Sequence, residues 1–376
     1  MKIIFTGGGT GGHFYPIIAV AGEIRNIVKE QRLLEPKFYY IAPTPFDKRA
    51  LYENDIKFKK SPAGKMRRYF SIWNFIDYFK TGWGVIKTIF QIFTIYPDVV
   101  FSKGGYASFP TVIAAKFFRI PIIIHESDAV PGRANLWAGK FARKIAVSFP
   151  EAEKYFDKTK TAYTGNPVRK EVFTVAGGGA HEYLKLEKDI PTILILGGSQ
   201  GAKKINDTVM EALPKLIGKY QIIHQVGKKN LEDIKSTARI ILEDTEFGHR
   251  YKAFGFLNTL AMRMSAGAAN LVISRGGASA IFEIAAWGLP SIIIPITDSN
   301  GDHQRKNSFS YARARAGIVM EEKNLTPNLL ISEISRIISD KILQKNMRNG
   351  AQNFAKPNAA RKIAEAIIAT ALKHEE

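Results

Sequence analysis

Residues 98–126, DVVFSKGGYASFPTVIAAKFFRIPIIIHE, and residues 270–296, NLVISRGGASAIFEIAAWGLPSIIIPI, carry one pattern twice. Each passes from a short apolar strand through Ser, a basic residue and Gly-Gly into a helical stretch, then through Pro into a strand with three consecutive isoleucines. A continuous apolar run has no polar face to turn toward water, so such strands belong in a parallel sheet covered on both sides by helices. On either side the alternation continues. Strands are expected at 2–6, 38–42, 99–102, 120–125 and 144–148 in the first half, and at 192–196, 221–226, 270–274, 291–296 and 318–320 in the second. With helical stretches between them, these predict an α/β chain of two Rossmann-like, doubly wound parallel sheets.

The chain has 376 residues, 45% of them apolar. A single core stops growing at about 250–300 residues, so two domains are expected. Segment 172–190 holds Gly177-Gly178-Gly179 and then charges, the composition of an interdomain linker. The domains are therefore placed at 1–171 and 191–358, with a closing helix at 359–376 joined to the first. The chain has no cysteine, which removes disulfides, thiolate metal sites and cysteine nucleophiles. Met1 leads directly into a strand without the zones of a signal peptide, and charges interrupt every apolar run before the ~20 residues a spanning helix needs. A cytoplasmic protein with at most peripheral membrane contact is expected. The net charge is +20, and residues 1–170 hold 27 Lys and Arg against 13 Asp and Glu, so the first half carries most of the basic surface. A basic balance serves polyphosphate substrates, anionic lipid or nucleic acid. No nucleic-acid module is recognisable, and no nucleic-acid partner is expected.

Two glycine-rich strand ends match familiar signatures literally. GGGTGG (7–12) fits G-x-G-x-x-G, but a dinucleotide site needs an acid at the end of the second strand, where Ala42-Pro43-Thr44 stand instead. GGSQG (197–201) fits the G-x-S-x-G elbow of hydrolases, with His224, His249 and His303 downstream. Lys203 and Lys204 in the following turn suit an anion better than an ester, which favours a phosphate cradle with Ser199 as a hydrogen-bond donor. Glycine-rich turns at 7–12, 104–105, 197–201 and 276–277 all follow strands, where doubly wound sheets bind ligands. No aspartate-rich metal motif accompanies them, so a leaving diphosphate would be stabilised by backbone N–H groups and by Arg or Lys.

Seven stretches then form an ordered set: GGGTGGHFYP (7–16), KGGYASFP (103–110), HES with PGRAN (125–127 and 131–135), TGNPVR (164–169), LGGSQGAKKIN (196–206), SRGGASAIFEIAAWGLPSIIIP (274–295) and DHQRKN (302–307). Along nearly the whole chain they resemble the successive signatures of the MurG family, the lipid I N-acetylglucosaminyltransferases of bacterial peptidoglycan synthesis. The resemblance implies a GT-B architecture, two Rossmann-like domains facing a central cleft, with UDP-GlcNAc held mainly by the second. It implies inverting, metal-independent and cofactor-free transfer of GlcNAc to the muramyl 4-hydroxyl of undecaprenyl-pyrophosphoryl-MurNAc-pentapeptide, lipid I, giving lipid II. It also implies a peripheral enzyme at the cytoplasmic face of the plasma membrane, among cell-wall synthesis proteins.

By the same resemblance Thr10, Gly11 and Gly12 line the cleft and His13 is the candidate base. Arg169 contacts the nucleotide, and Ser199 and Gln200 line the diphosphate. Ala278, Ser279 and Ala280 lie near the α-phosphate, Glu283 binds the ribose hydroxyls, Gln304 reaches the transferred sugar, and Phe256 with the Leu257 backbone forms the uracil site. Two positions depart from the family. Asp128 stands where asparagine is usual, an anion that accepts from a sugar hydroxyl but cannot donate and that competes for the role of base. His303 stands where a second glutamine occurs.

Stretch 57–96 interleaves Lys59, Lys60, Lys65, Arg67 and Arg68 with Tyr69, Phe70, Trp73, Phe75, Tyr78, Phe79 and Trp83. Ile72, Phe75 or Ile76, Phe79, Trp83 and Ile86 share a helical face, broken by Gly82 and Gly84. That face is either core or an interfacial anchor on anionic lipid.

Overall fold

A computed structural model describes residues 1–64, 72–198, 201–297 and 300–375. The chain divides into two compact units, Met1–Arg169 with Lys356–Glu376, and Lys170–Ala355. The first holds β1 (Lys2–Thr6), β2 (Lys37–Ala42), β3 (Ile56–Lys60), β4 (Val99–Ser102), β5 (Ile122–Glu126), β6 (Lys144–Val147) and β7 (Thr161–Tyr163). They form one parallel sheet in the order β3-β2-β1-β4-β5-β6-β7. The second unit holds β8 (Thr192–Leu196), β9 (Gln221–Gln225), β10 (Tyr251–Phe254), β11 (Leu271–Ser274), β12 (Ser291–Ile293) and β13 (Ile318–Val319). Its parallel order is β10-β9-β8-β11-β12-β13.

Strand order reverses between β1 and β4 in the first sheet and between β8 and β11 in the second. At such a switch point the loops leaving the two strands diverge to opposite faces and leave a crevice beyond the carboxyl ends. The repeated Ser-Lys-Gly-Gly and Ser-Arg-Gly-Gly turns therefore occupy the same place in each sheet.

Every residue of β4, β5 and β8 is buried, as continuous apolar runs require. β3, β7 and β10 were not expected, and all three lie at or next to solvent as sheet edges. IKFKK, TAY and YKAF are short or alternate with polar residues, because an edge strand is covered less completely than a central one.

Segment 172–190, expected as a linker, packs within the second unit. Val172 accepts from Trp287 Nε1 at 2.9 Å, and Glu187 pairs with Arg250 Nε at 2.6 Å. The helix Ala359–Glu375 buries Ile363, Ala364, Ile367 and Ala371 in the core of the first unit, and Arg361 reaches Glu30 at 2.6 Å.

Helix Ile72–Ile95 buries Gly84, Thr88, Ile92 and Ile95 and exposes the other side. Phe75, Phe79 and Trp83 are 66%, 67% and 62% exposed, so these rings are surface rather than core. Lys65, Arg67, Arg68, Tyr69 and Phe70 lie outside the described residues, as does the side chain of Trp73.

Candidate active site

In the first unit four loops meet at the switch point. Gly7, at φ +141°, packs so closely that an added Cβ would stand 2.9 Å from Lys103 Cβ, and its carbonyl accepts from Tyr40 Oη at 2.5 Å. Thr10 precedes helix Gly11–Glu30, and its Oγ1 lies 3.1 Å from His13 Nδ1. On the other side of that ring, a Cβ on Gly105 would stand 3.8 Å from His13 Nε2. The Thr10, Gly11, Gly12 and His13 turn thus sits beside the Lys103–Gly105 turn. Arg169 closes the same unit, its guanidinium 4.5 Å from the Tyr15 ring.

Behind these turns is a polar cluster whose residues all stand in the quoted motifs, KGGYASFP, HES with PGRAN and TGNPVR, but to which motif reading gave no role. Lys103 Nζ contacts His125 Nδ1 at 2.5 Å, Ser127 Oγ at 2.6 Å and Asn166 Oδ1 at 3.4 Å. His125 Nε2–H donates to the Gly165 carbonyl at 3.1 Å, leaving Nδ1 as an acceptor. Glu126 accepts from the Asp128 and Gly132 backbone N–H groups at 2.9 and 3.0 Å, and from Asn135 Nδ2 at 2.9 Å. Burial pushes the Lys103 ammonium down from the lysine range, while Glu126 and Asp128 pull it back. Burial and the neighbouring Asp128 carboxylate push Glu126 up, against its three hydrogen bonds. His125 is held well below the usual histidine range by burial and by Lys103, so it is neutral. Asp128 is half-buried at the rim of this cluster. The available signal was a charged residue directly after a buried strand and before Gly-Gly, a place where charge needs a reason.

In the second unit helix Ala278–Trp287 begins at Gly277 without a side-chain cap. That start presents backbone N–H groups and a positive dipole end. Ala278 is buried, while Ser279, Ala280 and Glu283 are half-buried along the first turns. Gly276 has no room for a side chain, because a Cβ would stand 2.6 Å from the Gln304 carbonyl. Helix His303–Arg313 is fixed against this turn by Asn307 Nδ2, 3.3 Å from the Gly276 carbonyl. Gln304 Oε1 accepts from Ile296 N–H at 3.2 Å, which directs its amide nitrogen away from that contact. Glu283 and Gln304, 21 positions apart in sequence, are thereby carried on adjoining elements. Arg275, the counterpart of Lys103 in the repeat, pairs with Glu322 at 2.5 Å.

The Leu257 N–H, expected at the uracil site, donates to Gln225 Oε1 at 3.0 Å, so only its carbonyl is left for that role. The neighbouring Phe256 ring is exposed, 5.8 Å from Lys228 Nζ. Ser199, Gln200 and positions 298–299 lie outside the described residues.

Two of the three histidines downstream of GGSQG are engaged within the second unit rather than offered to a hydrolase triad. His224 is enclosed between Tyr251 Oη at 3.0 Å and Asn206 Oδ1 at 3.1 Å. His249 pairs with Glu187 at 2.9 Å. The first acid after β2, Asp47, caps helix Lys48–Glu53 through Ala50 N–H at 3.0 Å rather than standing at the strand end for a ribose.

Residues 3–147 match the N-terminal domain of glycosyltransferase family 28 and residues 192–366 its C-terminal domain. A UDP-N-acetylglucosamine–N-acetylmuramyl-(pentapeptide) pyrophosphoryl-undecaprenol N-acetylglucosamine transferase of Bacillus thuringiensis (strain Al Hakam) is 38% identical over 338 residues, covering 89% of this chain and 91% of its own. Transferases with the same description from Clostridium novyi (strain NT) and Treponema denticola are 36% and 33% identical, covering 94% and 95% of this chain and 95% and 93% of their own. Among solved structures, Acinetobacter baumannii MurG superposes with a TM-score of 0.73 at 24% identity, covering 98% of this chain and 99% of its own. The Neisseria meningitidis UDP-GlcNAc 2-epimerase shares the fold at a TM-score of 0.67 and 16% identity, covering 99% of this chain and all of its own. With both domain signatures in order and relatives above 30% identity along nearly its whole length, the chain belongs to glycosyltransferase family 28 and, within it, to the MurG family.

Proposed function

We propose that this chain transfers GlcNAc from UDP-GlcNAc to the muramyl 4-hydroxyl of lipid I, releasing UDP and forming lipid II. The observation that carries this reading is the 33–38% identity, along nearly the full length of both partners, to transferases so described. The geometry around His13 supports the following mechanism. With Nδ1–H donated to Thr10 Oγ1, His13 keeps a lone pair on Nε2 and takes the proton of the attacking hydroxyl. That oxygen bonds to the anomeric carbon as the bond to the diphosphate oxygen breaks, which inverts the centre. The charge left on UDP is received by the start of helix Ala278–Trp287, with Ser199, Gln200 and Arg169 assigned to the phosphates. Glu283 accepts from the ribose hydroxyls, the Leu257 carbonyl faces the base, and Gln304 holds the transferred sugar. Asp128 accepts from an acceptor hydroxyl beside His13.

The enzyme docks peripherally on the anionic cytoplasmic membrane face through its first unit. The exposed rings of helix Ile72–Ile95 support this, as does a basic bowl of about 760 Å³ lined by Lys116, Arg119, Arg143, Lys144, Lys160 and Lys373. That bowl lies at the amino ends of β5 to β7, opposite the glycine-rich turns. It suits a charged surface better than the reacting sugar.

Incubation with UDP-GlcNAc and a short-chain lipid I analogue, with and without EDTA, tests the proposal. The expected result is a β1,4-linked disaccharide product and UDP at a rate EDTA leaves intact. A 2-epimer of the donor, or binding without turnover, overturns the transfer. Loss of rate in EDTA that magnesium or manganese restores overturns the metal-free mechanism.

A further inference from the structure

The first unit buries a lysine for which the transfer chemistry has no use. Lys103 is 1% exposed and directs its ammonium at three neutral acceptors, His125 Nδ1, Ser127 Oγ and Asn166 Oδ1. Taking a cation out of water costs several kcal/mol unless opposite charge stands close by. The carboxylates whose fields act on Lys103 are Glu126 and Asp128. Glu126 is committed to the turn itself, through Asp128 N–H, Gly132 N–H and Asn135 Nδ2. Lys103 grips the residue just before Asp128, and Glu126 grips the backbone of Asp128. The one carboxylate of the cluster that stands at its half-exposed rim is Asp128.

We propose that Lys103 is a positioning residue that holds the Ser127–Asp128 turn and compensates the Asp128 charge, so that Asp128 presents a fixed carboxylate to the sugar acceptor. Lys103 and Asp128 then act as one pair, the ammonium inside and the carboxylate at the rim. This rests on the reading of Asp128 as an acceptor contact. The physical signature of such a pair is non-additivity. Removing Lys103 alone leaves two neighbouring carboxylates to repel each other, and removing the Asp128 charge alone leaves a buried ammonium with one counter-charge fewer. Removing both costs less than the sum. A lysine that merely fills space would show no such coupling to residue 128.

Lys103→Met, Asp128→Asn and the double variant, assayed for transfer and by thermal melting, decide the question. Lys103→Met is expected to lower kcat/KM for the lipid acceptor by roughly tenfold or more through a raised acceptor KM, with the UDP-GlcNAc KM unchanged. The double variant is expected to melt higher, and to use acceptor better, than Lys103→Met alone. Additive losses in the double variant, or equal changes in donor and acceptor KM, overturn the proposal. If Lys103→Met fails to fold, a folded double variant supports the pair and an unfolded one overturns it. Melting does not depend on turnover, so a wild-type protein inactive on lipid I would remove the proposed function while the melts still judge the charge pair.

Discussion

His224 shows how a single enclosed side chain sets a pH dependence. It is fully buried with both ring nitrogens occupied, Nε2 facing Asn206 Oδ1 and Nδ1 facing the Tyr251 hydroxyl, and burial pushes its pKa down from 6.5 to about 3. The unfolded chain takes up a proton below about pH 6.5 that the folded chain refuses, so this stability is present above that pH and is lost as pH falls. Between pH 7.5 and 5 the loss attributable to His224 is roughly 2 kcal/mol. Urea melts at the two pH values should show a smaller drop in His224→Gln than in the wild type; an unchanged drop would mean that His224 is not the group responsible. Glu283 makes a prediction about ligand instead of stability. With Glu283 on the ribose as proposed, Glu283→Ala is expected to lose charge-assisted hydrogen bonds worth roughly 1.5–3 kcal/mol. Calorimetry with UDP-GlcNAc on the folded variant should record that weakening, and unchanged affinity would take Glu283 out of the site. The place of Glu283 was legible, since it stands one turn into a helix that follows Gly-Gly, while its ribose role comes from the family resemblance. The partners of Lys103 lie 22, 24 and 63 positions away, so only the folded sheet reveals why that lysine is there.

At the scale of the element, the two glycines of helix Ile72–Ile95 separate packing from propensity. Neither could be assigned a reason from periodicity alone, since both interrupt the aromatic stripe. A Cβ on Gly84 would stand impossibly close to the Pro62 carbonyl, and Ser61 Oγ reaches the Gly84 carbonyl at 3.2 Å and Thr88 Oγ1 at 2.7 Å. A Cβ on Gly82 would meet nothing within 4 Å. Gly84→Ala should therefore destabilise by roughly 1–3 kcal/mol through overpacking, whereas Gly82→Ala should stabilise by about 0.5–1 kcal/mol through helix propensity. Denaturant midpoints moving in the same direction for both variants would contradict this packing. The same distinction explains which strands were legible. β1, β4, β5, β8 and β11 announce themselves because burial on both faces gives each a run of consecutive apolar residues, with polar residues confined to the strand ends. β3, β7 and β10 are edges that keep Lys57, Thr161 or Lys252 in their runs, and runs of three to five residues are too short for an alternation to stand out.

For the molecule as a whole, the uneven charge and the unpartnered aromatic face belong to the same unit. Among the described residues no helix is long and apolar enough to cross a membrane, so contact with lipid would be at the surface. Monomeric proteins rarely show contiguous apolar patches of this kind without a use. The patch does not end with its helix, since Phe93 lies 6.2 Å from Phe118. Phe118 is followed directly by Arg119 of the basic bowl, where Lys160 has Asp157 at 3.9 Å as a carboxylate partner. Two terms should then be separable on anionic vesicles. Lys116→Glu, Arg119→Glu and Lys144→Glu should remove a salt-sensitive term of ~1 kcal/mol per charge near the surface, screened beyond about 8–10 Å at moderate salt. Phe79→Ala and Trp83→Ala should remove a salt-insensitive term of up to about 1.5–3 kcal/mol per ring inserted. Because both rings are already exposed, the aromatic variants should melt like the wild type. Vesicle sedimentation at low and high salt, run beside thermal melts, reads both terms. Wild-type protein that stays in the supernatant with anionic vesicles at low salt, or aromatic variants that bind as well as the wild type, would show that this face serves something other than the membrane.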